Sequence, residues 1–389
     1  MGSRLTPPWR MDSFANRAHK PIVRGNRATD EVHLSLAIPL SSTTEHGALH
    51  ISPCGDVDDG GGGESMRRWA VVIVIWGTGV FLGSGCGTGT EDKTAVVDLL
   101  DDRMGSDASE TTDGPWDTTE WTTPLHIMTL NLRTGLAMDG ENAWKHRESI
   151  LLNLLEKEAP DLIGIQEGLQ FQLMAIEERH PQYAWVGTGR DGTVFDEFCA
   201  VFYHRDRFEL LDSGTFWLSD TPDVPNSQFS ELQLRVRIVT WAFLADRTEG
   251  TRFYLFNTHF DTKSEDNLFQ RSAALLARKI REIAGDHQVF VTGDFNTKPG
   301  DDAWRILTGT LEYEGTSGNL LDPWVTLGLP EEGTVHKFSG VSKSGHRVDW
   351  VLYTAPADPT AGWVNHYQED GRYPTDHFPV QAIFRVPIR

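Results

Sequence analysis

The chain has 389 residues, 39% hydrophobic and 23% charged, with a net charge of −21. That length suits one large or two ordinary domains, and the composition is that of a globular chain rather than a fibrous one. The acidity argues against standing nucleic-acid binding, because an acidic surface repels a polyanion, but it does not exclude an enzyme that brings a metal to a phosphate.

Residues 1–65 carry no sustained period of 2 or 3.6 and read as an extension outside the folded protein. Met66-Arg67-Arg68 then opens the apolar run Trp69–Leu82, followed by Gly83-Ser84-Gly85-Cys86. Two arginines, an apolar stretch shorter than a membrane span and small residues describe a secretory signal over 66–86. Its end resembles a bacterial lipobox at Cys86, with Gly83 where leucine is usual. A signal starting 66 residues in leads us to expect translation from Met66, an expectation helped by the purine-rich codons of Gly60–Glu64. From 87 to 122 ten acids face two bases, a net −8 set among Thr, Ser and Gly. Such text cannot bury enough to fold and reads as a solvated tether. It leaves about −13 on the domain expected at 123–389. Cys54, Cys86 and Cys199 are far apart with no metal-ligand spacing, so no disulfide framework is expected, and Cys199 in FCAVFY reads as a small buried hydrophobe.

Within the domain, strands are expected at 125–131, 162–166, 199–204, 210–217, 238–245, 252–258, 288–293, 347–353 and 379–386. Helices are expected at 142–157, about 168–179, about 266–284 and 301–309. In the first helix Trp144, Ile150, Leu151, Leu154 and Leu155 share a face and Pro160 ends the run. In the third, Leu268, Ala274, Leu275, Ala277 and Ile280 do so. The strands 238–245 and 252–258 look antiparallel across Thr248–Thr251. Strands joined both by helices and by hairpins imply α/β architecture with mixed sheets and helices outside, and about 265 residues suit two packed sheets.

Several strands end in groups an apolar interior cannot hold unpartnered. TLNLR delivers Asn131, IGIQEG delivers Glu167, LFNTHFD delivers His259 and FVTGDFN delivers Asp294 and Asn296. Asp349 sits inside RVDWVLY, and PTDHFPV supplies Asp376 and His377. A hard cation such as Mg²⁺ takes oxygen ligands with only one or two carboxylates, which makes Glu167 the best ligand candidate, with Asn131 beside it. Asp294 and Asn296, two apart in an extended tip, point the same way. An Asp349–His377 hydrogen bond would fix the ring tautomer and raise its basicity. No Ser or Cys with an adjacent base stands out, so a covalent route is the weaker reading.

The ordered set NLR, IQEG, NTHFD, GDFN, HRVDWVLY and TDHFPV resembles the endonuclease/exonuclease/phosphatase superfamily, which has the deoxyribonuclease-I-like fold. The resemblance implies a four-layer α/β sandwich, two packed mixed β-sheets flanked by helices. It implies that Glu167, Asn131 and Asp376 hold Mg²⁺ or Mn²⁺, and that Asp294 positions or deprotonates a nucleophilic water. Asn296 would hold a phosphate oxygen, and His259 and His377 would hydrogen-bond phosphoryl oxygens. Glu197 in EFCAVFY would pair with His259 as Asp349 pairs with His377. FWLSDTPDVPNS, RIVTWAF and TVHKFSG resemble a little-characterised bacterial secreted branch, in which His336 sits near the site and Arg237 meets substrate phosphate. Thr375 replaces the usual serine before Asp-His, and Phe260 the leucine common after NTH.

The expectation is an exported, metal-dependent phosphoesterase that uses direct attack of water on a phosphodiester or phosphomonoester. It would be monomeric, meet the membrane only through an N-terminal lipid anchor, and bind no nucleic acid stably. The alternatives are a nuclease of the same fold and a surface binding protein that has lost catalysis.

Overall fold

The computed structural model describes residues 120–262 and 265–388. The expected extension at 1–65, the signal at 66–86 with Cys86, Cys54, and the tether as far as residue 119 lie outside the described residues. Among the described residues no helix is long and apolar enough to cross a membrane. The described chain enters by pairing with the segment just after the last strand: Trp121 bridges Pro387, and the Thr122 N–H donates to the Val386 carbonyl at 2.8 Å.

Among the described residues there are eleven strands and five α-helices. In chain order they are β1 (Leu125–Asn131), α1 (Trp144–Glu158), β2 (Leu162–Gln166), α2 (Gln170–Arg179), β3 (Tyr183–Val186) and β4 (Val201–His204). Next come β5 (Phe208–Trp217), β6 (Ile238–Asp246), β7 (Arg252–His259), α3 (Leu268–Ala284) and β8 (Gln288–Asp294). The last are α4 (Asp302–Leu307), α5 (Pro323–Leu327), β9 (Asp349–Tyr353), β10 (Asp358–Val364) and β11 (Val380–Arg385).

One sheet has the order β10-β11-β1-β2-β4-β3 and the other β5-β6-β7-β8-β9. Both are mixed: β1–β2 and β7–β8 are parallel, and the remaining pairs are antiparallel. The hairpin expected between 238–245 and 252–258 is the antiparallel β6–β7 pair.

Period-2 alternation sorts the side chains into layers. Ile127, Leu162 and Phe384 of the first sheet pack with Leu255, Phe290 and Val351 of the second. Met128, Leu130, Ile163 and Ile165 face Leu151 and Leu155 of α1 and Leu173 of α2. Phe256, Val291 and Leu352 face Leu276 and Ile280 of α3 and Ile306 of α4. Three apolar layers between four tiers make the four-layer α/β sandwich.

The two missed strands, β3 and β10, are the outer edges of the six-stranded sheet. Edge strands need no continuous apolar run; only Tyr183 of β3 is buried, and β10 carries Pro359 and Gly362. The five-residue α5 is too short to show a helical period.

Near one end the sheets are joined by polar contacts instead of aliphatic ones. Gln166 Nε2 donates to Asn257 Oδ1 at 2.7 Å, and Asn257 Nδ2 donates across to the carbonyls of Ile165 and Ala200 at 2.7 and 3.0 Å. Gly164 permits this approach, since a Cβ there would lie 2.0 Å from Thr292 Oγ1.

Candidate active site

Just beyond this clamp the strand tips converge. The parallel β7–β8 register puts His259 beside Asp294, and the antiparallel β8–β9 register puts Asp349 on the other side of Asp294. Asn131 ends β1, Glu167 follows β2, and Asp376-His377 enter just before β11. Strand ends release polar side chains from the core while the ladder holds the backbone still.

Asn131 is the hub. Its Nδ2 donates to Asp294 Oδ2 at 2.9 Å and to Glu167 Oε1 at 3.2 Å, while its Oδ1 accepts from the Arg133 N–H at 2.9 Å. Glu167 Oε2 accepts from the Thr134 N–H at 3.0 Å. Glu167 itself is left-handed, at φ 58°. That conformation costs a non-glycine residue about 1–3 kcal/mol, so the surrounding contacts over-determine where this carboxylate sits.

Asp294 is 1% exposed. Burial, then the charge of Asp349, pushes its carboxyl up to about 7, against the pull of His377 and of hydrogen bonds from Asn131 and Asn296. His377 Nδ1 lies 2.9 Å from Asp349 Oδ2 and 3.8 Å from Asp294 Oδ2. Burial opposes its charge, but Asp349 and Asp294 outweigh burial and hold the ring protonated well above the ordinary histidine range. His259 Nε2 is 3.5 Å from Asp294 Oδ2, yet burial, followed by Arg237, His377 and Arg190, drives its pKa well below that range. One pocket therefore holds a cationic and a neutral imidazole around a carboxyl poised near neutrality.

The remaining expected residues behave differently. Glu197 does not show the expected partnership with His259. Its carboxylate is paired at 2.8 Å with Arg190, which approaches first because it sits in the same loop. Glu197 and His259 do line the same small cavity, together with Arg237. Asn296 is left-handed (φ 51°), and its Nδ2 donates to the Phe260 carbonyl at 3.0 Å, so that amide N–H braces the loop. Asp376 has its carboxylate 3.8 Å from Arg133 Nε, and its carbonyl accepts from the His336 and Lys337 N–H groups at 3.0 and 2.9 Å. His336 is stacked on Phe378 at 3.9 Å, which makes its ring a support for the Asp376-His377 turn.

A hard divalent cation fits these residues. Asp294, Asp349 and His377 each place one potential ligand atom within 4.8 Å of the others, and buried Asp349 Oδ1 has no hydrogen-bond partner. Because the His377 ring is held protonated on Asp349, the groups here able to ligate are the carboxylates, and Asp294 connects to the expected Asn131 and Glu167 through the Asn131 amide. Asp376 stands close enough to Glu167 for the two charges to act on each other, with Arg133 Nε 3.8 Å from its carboxylate.

Sequence reasoning missed three arginines. Arg190 and Arg133 lie in irregular loops, where no period marks them. Arg147 reads as an ordinary helix-surface charge but is 1% exposed. Its guanidinium donates to the carbonyls of Leu132, Pro374, Arg133 and Asn142 at 2.6–3.0 Å, tying the loop after β1 to the loop that carries Asp376.

Two mixed sheets in a four-layer sandwich, with carboxylates and histidines gathered at the strand tips, define a metal-dependent phosphoric ester hydrolase. The Endonuclease/Exonuclease/phosphatase family profile matches residues 128–377, and the chain belongs to that family. An endonuclease/exonuclease/phosphatase structure from Bacteroides vulgatus superposes with a TM-score of 0.61 at 30% identity, over 68% of this chain and 99% of that one. The mannosyl-6-phosphatase of Bacteroides thetaiotaomicron superposes with a TM-score of 0.60 at 27% identity, over 67% of this chain and 99% of that one. Nocturnin of Drosophila melanogaster is 23% identical over 288 residues, 62% of this chain and 42% of that protein.

Proposed function

We propose that this chain is an exported Mg²⁺- or Mn²⁺-dependent phosphoesterase that hydrolyses a phosphate ester by direct attack of water. The observation that carries it is the arrangement around Asp294: a buried carboxyl with His259 Nε2 at 3.5 Å and His377 Nδ1 at 3.8 Å, bonded by Asn131, whose amide also reaches Glu167. A carboxyl with a pKa near the working pH is a good general base, and Asp294 would take the proton from the attacking water. His377, held by Asp349, would donate to a phosphoryl oxygen, and His259 would present its ring N–H to the opposite side. Glu167, Asn131 and the aspartates would hold the cation, which when bound would polarise the phosphoryl group and offset its charge. With no serine or cysteine beside a base in this set, water is the nucleophile we favour.

Relatives bearing phosphatase and exoribonuclease names keep both a small ester and a nucleic acid in play. The net charge of about −13 on residues 123–389 favours the small ester. A panel of plasmid DNA, RNA, phospholipids, sugar phosphates and bis-p-nitrophenyl phosphate, assayed with Mg²⁺ and with chelator, tests this. Turnover of at least one small ester that chelator abolishes is expected; DNA hydrolysed well above every small ester would reverse the reading.

Export is proposed from the sequence of 66–86, with lipidation at Cys86 and 87–122 as a tether for a monomeric catalytic domain at 123–389. Mass spectrometry of the natively expressed protein checks this: an acylated peptide beginning at Cys86 is expected, and any peptide from 1–65 counts against a start at Met66.

A further inference from the structure

We propose that Gln172 is a positioning residue for the Glu167 carboxylate: by gripping the backbone on either side of Thr134, it holds the Thr134 N–H on Glu167 before any cation arrives. The proposal rests on the metal-dependent reading above and deepens it.

Gln172 lies in the first turn of α2 and is 0% exposed. A buried amide is costly unless it is hydrogen-bonded, and the partners of this one are backbone groups. Its Oε1 accepts from the Leu169 N–H at 3.1 Å, just before α2, and from the Gly135 N–H at 2.8 Å, in the loop after β1. Its Nε2 donates to the Arg133 carbonyl at 3.2 Å. The first bond caps the helix. The other two do nothing for the helix. They hold residues 133 and 135, the two neighbours of Thr134, whose N–H donates to Glu167 Oε2 at 3.0 Å.

The backbone held in this way is strained. Arg133 and Glu167 are both left-handed, at φ 55° and 58°. Non-glycine residues stay in that region only where their surroundings over-determine them. The two turns leave the parallel neighbours β1 and β2, and Gln172 spans them, from the Arg133 carbonyl to the N–H two residues past Glu167. The fit is close: a Cβ on Gly135 would lie 2.4 Å from Phe171 Cζ and 2.8 Å from Gln172 Cδ. Arg147 also donates to the Arg133 carbonyl, at 2.6 Å, but a guanidinium has no acceptor to offer the Gly135 N–H. With Thr134 fixed, both oxygens of Glu167 are set in advance, Oε2 by Thr134 and Oε1 by Asn131 Nδ2 at 3.2 Å. Without Gln172 the loop relaxes, and the carboxylate has to be ordered as the cation binds. Contacts that orient a ligand in this way carry about 10- to 100-fold in metal affinity.

The test is calorimetric titration of the full chain with Mg²⁺ and with Mn²⁺, for the wild type, Gln172→Met and Gly135→Ala, and for each substitution combined with Glu167→Gln. Gln172→Met keeps the length of the side chain and loses all three bonds. Gly135→Ala keeps Gln172 and its helix cap but pushes the loop away from it. Each is expected to weaken cation binding by about tenfold or more alone, and by under about twofold in the Glu167→Gln background, because Gln172 acts through that carboxylate. A loss of stability with unchanged affinity, or equal losses in both backgrounds, makes Gln172 a helix cap and overturns the proposal. Amide hydrogen exchange in chelator reads the contact without a cation. Exchange at Thr134 is expected to quicken about tenfold or more in either variant while the amides of β2 hold, and unchanged exchange at Thr134 overturns the proposal. A wild type that takes up neither cation overturns the metal-dependent reading, whereas cation binding left intact by both substitutions overturns only the role of Gln172. Should Gln172→Met fail to fold, Gly135→Ala decides alone.

Discussion

His377 Nδ1 and Asp349 Oδ2 lie 2.9 Å apart, and Asp349 faces Asp294 directly across the β8–β9 ladder. The imidazolium thus sits between two carboxylates and owes its charge to them more than to solvent. Asp349→Asn removes the carboxylate that does more to hold the ring protonated. The expected result is an alkaline limb of kcat/KM moved to lower pH, because the ring then loses its proton sooner. His377→Ala is expected to cost about 10²–10⁴-fold in kcat/KM while the circular dichroism spectrum stays unchanged. A His377→Ala enzyme of near-normal turnover would remove the residue from the site.

Asp294 carries a pH signature of its own. Its folded-state pKa, about 7, lies above the unfolded value near 3.8. The folded protein therefore binds more protons than the unfolded chain between those values, and this group's contribution to stability falls as pH rises through that window. Asp294→Asn carries no such charge. In chelator, the variant's stability relative to wild type is expected to climb from about pH 4 to about pH 7 and then level off, by an amount on the order of a few kcal/mol. Urea unfolding at a series of pH values measures it. Activity of the same variant is expected to fall by about 10²–10⁴-fold.

Metal removal supplies a third check. Dialysis against chelator is expected to abolish turnover and Mg²⁺ or Mn²⁺ to restore it, with a heat of binding in calorimetry that Glu167→Gln weakens by about tenfold or more. Unchanged metal binding in Glu167→Gln would transfer that role to the Asp294 and Asp349 carboxylates.

Arg147→Met takes a donor from four carbonyls, those of Leu132 and Pro374 in buried contacts and those of Asn142 and Arg133 in part-buried ones, the last of which keeps Gln172 Nε2. The expected cost is about 3–5 kcal/mol in denaturant unfolding. A smaller loss accompanied by a large drop in kcat would instead mark Arg147 as setting the position of the Asp376 loop.

Much of this molecule is legible in its chain, for a definable reason. Interior strands such as β1, β7 and β8 carry long apolar runs, and their polar tips stand out against them. Edge strands β3 and β10 escape because one solvent-facing side dilutes the pattern. In the site, Asn131, Glu167, His259, Asp294, Asp349 and His377 are marked by position at strand ends. Their pairings are less visible. Glu197 finds Arg190, seven residues away in the same loop, before it finds a histidine from another sheet, and no spacing rule announces that choice. Arginines that serve carbonyls or loop carboxylates, such as Arg147 and Arg190, look on paper like any solvent-facing cation.

Asn131 and Glu167 grow from one sheet, and His259, Asp294 and Asp349 from the other, with Gln166 and Asn257 laced between the sheets a residue or two beneath. The candidate site is therefore a seam shared by two plates, and a slip of one plate by a fraction of an ångström would unseat both halves together. Directional amide contacts resist such sliding where greasy ones would tolerate it. Swapping Gln166 and Asn257 for leucines could spare the melting point and still leave the enzyme mute.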